Sequence, residues 1–517
     1  MRRIVTRLFW VCILHFCFLT YSHAQTINIE INWNHPIRVI PEYAYGVNSP
    51  ANFIPAYSND VGFMEKIELI TQKKGLIRLH GWGMLGDSPE SWQNQGIWNS
   101  VKINNALTPL TTQGYEVMIN IPSGPGGEDD YQNPEAFAQF CADLVQIVNI
   151  DYQLGVEYWE IPNERESGFT SPGLTTMEMS NFIKTASLAM KAVDPSIKVG
   201  GAATAWVNIG YLTELVELTP EIDFISCHAY SGDCSNSLHD IYNIAQYAVE
   251  DLQALRKMIN NAIPIFLTEY NLSFQGCDRI QSFEGAVYDA IIMTESIKAG
   301  IGGTCYWAIA PYSDMSVIIG EELTDNAHLF EKFNKHFHGE LVKNNSSDST
   351  KVMVYSTVDE STNNYSFCLI NRTAVSQDVQ LQMMGIIPDS LERFSWNEQN
   401  SYLADTTTWL DLSNGNLSLA PYSVTMYRWQ GTVLNTSNLS KRNEPILLFP
   451  NPNSGIFYLL PENINKEYQV LSSVGLVLKS GIVKNSGIDL TAFPTGSYLI
   501  KVSDKKGNTN IQTAIKK

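Results

Sequence analysis

Hydrophobic and polar positions along the chain change period several times, and each period predicts a different kind of element. From Thr26 to His35 the apolar residues Ile27, Ile29, Ile31 and Trp33 alternate with polar ones, the period-two pattern of a half-buried strand. Beyond it, short apolar runs alternate with amphipathic stretches such as the one through Met64, Ile67 and Ile70, which predicts repeated βα units around a parallel sheet. The predicted strands are Val39 to Asn48, Gly75 to Gly81, Tyr115 to Pro122, Gly155 to Glu164, Lys198 to Thr204, Asp223 to Tyr230, Pro264 to Asn271 and Gly303 to Ala310. Asp194-Pro195 marks a helix end before the fifth of them. After a last helix at Leu329 to Phe337 the pattern shortens to strands at Lys351 to Val358, Asn364 to Asn371, Asp378 to Met383, Glu392 to Trp396 and Tyr422 to Trp429, separated by Asn, Ser, Thr and Asp clusters. The predicted fold class is α/β. A (β/α)8 TIM barrel occupies about residues 36–330, and a β-sandwich accessory domain combines 26–35 with 340–430. A linker rich in Asn, Ser and Thr follows at 431–445, and a small all-β C-terminal domain at 446–517.

Composition sets limits on this picture. A chain of 517 residues, 44% hydrophobic and 17% charged, is an ordinary multidomain globular protein. Its net charge of −19 argues against a nucleic-acid partner, because phosphate binding needs a basic surface. Residues 1–24 carry Arg2, Arg3 and Arg7, an apolar core from Leu8 to Leu19 and the small-residue close Ser22-His23-Ala24, a secretory signal peptide cleaved near Ala24-Gln25. His15 interrupts a run already too short to span a bilayer, so no transmembrane segment is expected after cleavage. The remaining cysteines, Cys141, Cys227, Cys234, Cys277, Cys305 and Cys368, have neither disulfide-scaffold nor metal-site spacing. Cys234 and Cys277 lie just past the sixth and seventh strands, where they are either bridged or two free thiols.

The chemistry sits at strand ends. Gly155-Val-Glu-Tyr-Trp-Glu-Ile-Pro-Asn-Glu164 is an apolar and aromatic run that stops at an amide beside a carboxylate, and Pro264-Ile-Phe-Leu-Thr-Glu-Tyr-Asn271 carries Glu269 in the same way. In a parallel barrel both acids reach the carboxyl-end rim, where two carboxylates facing one sugar bond divide the labour of glycoside cleavage. Each acid read alone is equally a helix cap or an ion-pair partner. Arg78, His80, Asn163, His228, Tyr230 and Trp307 share the rim. Glu164, beside Asn163 and near Trp159, is expected to have a raised pKa, and Arg78 is the cation beside Glu269. Asn163 either meets the sugar 2-hydroxyl or caps a helix. Tyr230 either donates to Glu269 or is structural, and His228 contacts sugar, orients a carboxylate or is structural. Trp307 is either a stacking floor or a core residue, and Trp82, Trp92, Trp98 and Tyr312 are candidates for further subsites. No metal or other cofactor is implied. The loop Ser123-Gly-Pro-Gly-Gly127 lacks the Lys-Ser/Thr ending of a phosphate-binding loop and reads as a turn.

The Asn-Glu after the fourth strand, the Glu after the seventh, Arg78, the His-x-Tyr of His228 and Tyr230, and Trp307 together resemble clan A of the glycoside hydrolases. The resemblance spans about Val39 to Ala310. It implies retention of anomeric configuration with Glu164 as acid/base and Glu269 as nucleophile. A barrel followed by a β domain is similar to the β-xylosidase, arabinofuranosidase and glucuronoxylanase types, although Ile-Pro-Asn-Glu stands here where many members have Trp-Asn-Glu-Pro. The segments Leu448-Phe-Pro-Asn-Pro-Asn-Ser-Gly455 and Pro494-Thr-Gly-Ser-Tyr-Leu-Ile-Lys501, with Gly475 between, resemble the C-terminal sorting domain of the Bacteroidetes type IX secretion system. That likeness implies a partner in the type IX machinery, passage through the periplasm, and release or attachment at the outer cell surface. The expected activity is hydrolysis of β-linked plant or algal polysaccharide or oligosaccharide. The alternative is a barrel that binds carbohydrate without cleaving it.

Overall fold

Alternation along the first segment places it in a sheet rather than in the barrel: β1 (Ile27–Val39) buries Ile27, Ile29, Ile31 and Trp33 and turns Asn28 and Glu30 to solvent. The computed structural model describes residues 26–50, 61–81, 91–124, 131–259, 263–309, 313–319, 322–386, 388, 390–414, 417–431, 448–449, 453–459, 465–472, 476–484, 487–503 and 509–517. The segment expected to be a signal peptide, Trp82, Tyr312 and nearly all of the expected linker lie outside these residues.

The parallel strands that follow close on themselves in chain order: β2 (Tyr43–Pro50), β3 (Leu76–His80), β4 (Glu116–Asn120), β5 (Tyr158–Glu160), β6 (Lys198–Thr204), β7 (Ile225–Tyr230), β8 (Ile265–Asn271) and β9 (Gly303–Tyr306). Closure comes from β9 pairing with β2, Cys305 opposite Gly46. A Cβ at Gly46 would lie 2.5 Å from the Leu76 carbonyl oxygen and 2.9 Å from that of Thr304, so the flanking strands leave no room for one. Inside the barrel Leu76, Met118, Phe224, Phe266 and Cys305 pack with Tyr43 and Tyr158 into an apolar plug at the amino-terminal end. By the period of two, the residues that continue inward above this plug are Arg78, His80, Asn120, Glu160 and His228.

The helices α1 (Val61–Thr71), α2 (Ser100–Thr112), α3 (Pro134–Val145), α4 (Thr176–Val193), α5 (Ile209–Leu218), α6 (Leu238–Met258), α7 (Phe283–Ala299) and α8 (Asp325–His336) accompany the strands. Seven of them begin where a short polar side chain accepts from a first-turn amide: Asn99, Asn133, Thr175, Asn208, Ser237, Ser282 and Thr324. At Thr175 and Glu178 the acceptance is reciprocal, a capping box.

The strands expected as a sandwich form one curled sheet of nine strands. They are β10 (Glu340–Ser346), β11 (Val352–Asp359), β12 (Asn364–Asn371), β13 (Gln377–Met384), β14 (Ser390–Trp396), β15 (Leu403–Thr408), β16 (Leu417–Leu419), β17 (Ser423–Gln430) and β1. The first strand of the chain runs antiparallel to β10 and parallel to β13. The sheet meets the barrel through buried polar contacts: Tyr45 to Tyr355 at 2.9 Å, Trp396 Nε1 to the Asp325 carbonyl at 3.0 Å, and Asn364 and Ser366 to the His336 carbonyl. Residues 431–517 make up most of a separate compact unit. It is built of a three-stranded and a four-stranded sheet over Phe457, Val470, Ile488, Leu490 and Ile500.

At the amino ends of the barrel strands, burial together with Glu157 and Glu42 raises the half-buried Glu116 carboxyl to about 7. The folded state therefore holds a proton that the unfolded chain releases near pH 4.5, and stability falls as pH rises across that interval. Glu116→Gln should raise the melting temperature by about 2 °C at pH 8 and leave it unchanged at pH 4.5. Scanning calorimetry at the two pH values checks this, and an equal effect at both would exclude the ionisation as its cause.

Candidate active site

Arg78, fully buried on β3, stands between the apolar plug and the rim. Its Nε donates to Glu160 Oε2 at 2.6 Å, its Nη1 to Asn48 Oδ1 at 2.9 Å and to Glu269 Oε1 at 2.8 Å, and its Nη2 to Asn163 Oδ1 at 2.8 Å. Burial disfavours its charge, but the Glu160 and Glu269 carboxylates outweigh burial and raise its pKa. Asn120 Nδ2 adds a 2.8 Å hydrogen bond to Glu160 Oε2. Asn48 donates to the carbonyls of Thr268 at 2.7 Å and Cys305 at 3.2 Å, which ties β2 to β8 and β9. Of these supports, Glu160, Asn48 and Asn120 are not among the residues that the sequence marks. The signal for Glu160 is present nonetheless, since it follows Tyr158 at the inward period of β5.

Glu269 ends this network. One of its oxygens accepts from Arg78 and the other from Tyr230 at 2.7 Å. Burial and the neighbouring Glu269 drive the Tyr230 hydroxyl pKa well up, so it remains a donor. Glu164 follows Asn163 on the turn after β5, with φ of 52° and its amide bonded to the Ala203 carbonyl at 2.9 Å. Its carboxyl meets His228 Nδ1 at 2.7 Å, and the same nitrogen is 3.6 Å from Glu269 Oε2. His228 therefore lies between the two acids, the geometry of the orienting alternative. His80 Nε2 is 3.9 Å from Glu269, and its ring stands edge-on to Trp307 with centroids 5.1 Å apart. Burial, then Arg78 and His228, lower the His80 pKa well below its usual value, so that ring is neutral. Trp307 is half-buried rather than a core residue.

Two expectations need correction. Trp159 does not approach Glu164, because it occupies the outward period of β5, fully buried with its indole bonded to the Val156 carbonyl. Nor is the Glu164 pKa raised: burial pushes it up, but the hydrogen bond from His228 and the charges of His228 and Arg78 bring it below the ordinary carboxylate value. Burial likewise opposes the charge on His228, while Glu269 and Glu164 raise its pKa overall. Trp92 and Trp98 are buried in the core, the latter stacked on Phe140 at 4.2 Å. Cys234 and Cys277 are disulfide-bonded and join the loops after β7 and β8.

Glu164, His228 and Glu269 offer donor atoms within 4.8 Å of one another, a group with the composition of a metal site. Here those atoms bond to each other, to Arg78 and to Tyr230, and the guanidinium beside them opposes a cation. A cavity of about 620 Å³ opens beside Glu164, His228 and Tyr230.

Residues 124–402, more than half of the chain, match the profile of glycosyl hydrolases family 39. The chain belongs to glycosyl hydrolase family 39. Residues 447–517 match the secretion system C-terminal sorting domain, which marks the protein for secretion or cell-surface export. Similar proteins include a β-xylosidase of Geobacillus stearothermophilus, 21% identical over 302 residues, which covers 49% of this chain and 58% of that protein. A β-xylosidase of Caldicellulosiruptor saccharolyticus is 28% identical over 164 residues, covering 29% of this chain and 32% of that one. The matches thus span well under two thirds of either relative. Among solved structures, an α-L-arabinofuranosidase from Thermotoga maritima has a TM-score of 0.61 at 14% identity, covering 78% of this chain and all of that one. A family 39 β-xylosidase from Caulobacter crescentus has a TM-score of 0.54 at 13% identity, covering 78% and 100%. At these identities the likeness establishes the fold, a parallel eight-stranded barrel with an added sheet. No helix among the described residues is long and apolar enough to cross a membrane.

Because Arg78 and Glu160 are both fully buried, removing one strands the other. Arg78→Met should cost about 3–5 kcal/mol of stability, and adding Glu160→Gln to it should recover part of that loss. Chemical denaturation of both variants measures the coupling. Strictly additive costs would mean that the pair is not an ion pair.

Proposed function

We propose that the protein is a secreted retaining glycosidase in which Glu269 is the nucleophile and Glu164 the acid/base. The observation that carries this reading is the approach of the two carboxyl groups, within 4.8 Å of each other, with Glu269 held by Arg78 and Tyr230 and Glu164 by the titratable His228. That spacing suits double displacement, in which the carboxyl groups are about 5–5.5 Å apart, and is shorter than the roughly 6.5–9.5 Å that inversion needs to place a water between the base and the anomeric carbon. In the first step Glu269 attacks the anomeric carbon, the glycosidic C–O bond breaks and the leaving oxygen takes a proton from Glu164. In the second, Glu164 takes a proton from water, whose oxygen displaces Glu269 and restores the configuration.

With Glu164 lowered and His228 raised, the proton needed in the first step is shared across the 2.7 Å contact between them. Asn163 keeps its Oδ1 on Arg78, which leaves its amide hydrogens for the sugar 2-hydroxyl. His80 and Trp307 supply the floor of the sugar site. The substrate class is a β-linked plant or algal saccharide. Both curated relatives named above are β-xylosidases, so β-xylosides are the first to test and α-L-arabinofuranosides the second. The sorting domain supports export through the periplasm and outer membrane by the type IX machinery.

A panel of aryl glycosides, with the product anomer followed by NMR, tests the reading. Hydrolysis with retention is expected, and a protein that turned over none of them would instead be a carbohydrate-binding barrel. Glu269→Ala should lose activity on every substrate by about 10⁴-fold or more. Glu164→Ala should still form the glycosyl-enzyme from a dinitrophenyl glycoside, whose departure needs little protonation, and azide should restore turnover with a β-glycosyl azide as product. An α-azide would reverse the stereochemical assignment.

The His228–Glu164 pair also predicts a pH profile. The alkaline limb of kcat/KM should report loss of the shared proton near the raised His228 pKa. In His228→Asn that proton is held by Glu164 alone, and the limb should move to lower pH by about one unit. An unmoved limb would detach His228 from the proton transfer.

A further inference from the structure

The cavity of about 620 Å³ touches only part of the site. Glu164, His228 and Tyr230 border it, whereas Glu269, Arg78, Asn163 and Trp307 do not. If the sugar lies over Glu269 between His80 and Trp307, which come from β3 and β9, this cavity lies on the side of the group that Glu164 protonates. Its walls come from the segments that follow β5, β6, β7 and β8: Phe169, Trp206, Tyr247 and Phe274.

These four side chains are 51%, 41%, 60% and 57% exposed, respectively. Among the described residues of the barrel and its sheet they are the large aromatics left more than a third exposed, and all four border this one cavity. Phe169 and Trp206 meet edge to face at 5.8 Å. Exposing four aromatic rings in one place forfeits burial that their transfer from water would otherwise contribute, so an occupant is called for. Between the rings the wall is Val207, Ile244 and small apolar residues, and beyond the acid/base group and its neighbours Asp251 is the one charged residue of the lining among the described residues. A second sugar ring brings hydroxyls on every edge, each of which needs a partner when it leaves water. This wall offers few, while an apolar ring would find aromatic faces and aliphatic contacts on all sides.

We propose that this cavity is a leaving-group site that selects an apolar, ring-bearing alcohol or phenol in preference to another sugar. The inference rests on the retaining-glycosidase reading and narrows its substrate. Hydrolysis there would transfer the Glu164 proton to the departing alcohol oxygen, break the anomeric C–O bond and add water to the sugar, with no other reactant. The preferred bond joins a β-linked sugar to a hydrophobic aglycone.

The test holds leaving-group acidity nearly constant: kcat/KM is compared for the methyl β-glycoside, the 2-phenylethyl β-glycoside and a β-linked disaccharide of the same sugar. The phenylethyl glycoside should exceed both by about tenfold or more, the gain expected for burying a phenyl ring. In Trp206→Ala and in Phe274→Ala the phenylethyl-to-methyl ratio should fall toward one. A wild-type ratio near one, a preference for the disaccharide, or a ratio that both variants retain would each overturn the inference while leaving the glycosidase reading intact. If no glycoside is turned over, that reading falls. Calorimetric titration of the same methyl and phenylethyl glycosides into the wild-type protein then decides the cavity's preference, and equal affinities would sink the inference as well.

Discussion

A guanidinium placed wholly out of water has to be matched, and the matching of Arg78 arranges everything above it. Its partners come from strands far apart in sequence: Asn48 on β2, Glu160 on β5, Asn163 just past β5 and Glu269 on β8. Each is drawn to a fork of fixed planar geometry, so the positive charge acts as a template for the carboxylates and amides around it. Glu160, fully buried beside it, serves this charge and is withdrawn from substrate, which leaves Glu269 as the carboxylate that the network presents upward. The barrel makes such a cost bearable, because the plug of Leu76, Met118, Phe224 and Phe266 holds the strands rigidly beneath it.

The two acids of the rim are treated differently by that arrangement. Glu269 is held from two sides, by Arg78 and Tyr230, and an attacking group gains from such fixed orientation. Glu164 is on a turn, more than a quarter of its side chain in solvent, and its bound neighbour is a titratable imidazole rather than a permanent cation. A group that must give and take a proton is suited by a partner that can do the same. The asymmetry supports the division of roles without reference to any relative.

The rim is also divided laterally. The β3 and β9 side carries His80 and Trp307 against the Arg78 network, whereas the β5 to β8 side opens into the aromatic-walled cavity beyond Glu164. The Cys234–Cys277 bridge joins the loops after β7 and β8 on that second side, where Ser273 Oγ also donates to the Gly232 carbonyl at 2.7 Å and Arg279 to the Asn236 carbonyl at 2.8 Å, so the two loops are fixed to each other by covalent and hydrogen bonds together. On the proposed reading, chemistry is anchored in the strands and selectivity in the segments that follow them.

Strand positions, the barrel, the sheet built partly from the first segment of the chain, and the arrival of Glu164, Glu269, Arg78 and Tyr230 at one rim are all legible in local pattern. Periodicity records which face each side chain takes, and an acid at the end of an apolar run is visible within ten residues. Local pattern does not show that Glu160 pairs with Arg78, that Trp159 points away from the rim, or that His228 lowers Glu164 where apolar surroundings would have raised it. These outcomes depend on distances between strands that meet only when the barrel closes. A pKa in particular is set by charges within a few ångströms, whatever their separation in sequence. Phe169, Trp206, Tyr247 and Phe274 are unremarkable one at a time along the chain. They become a single surface because consecutive parallel strands deliver their following segments to the same end of the barrel.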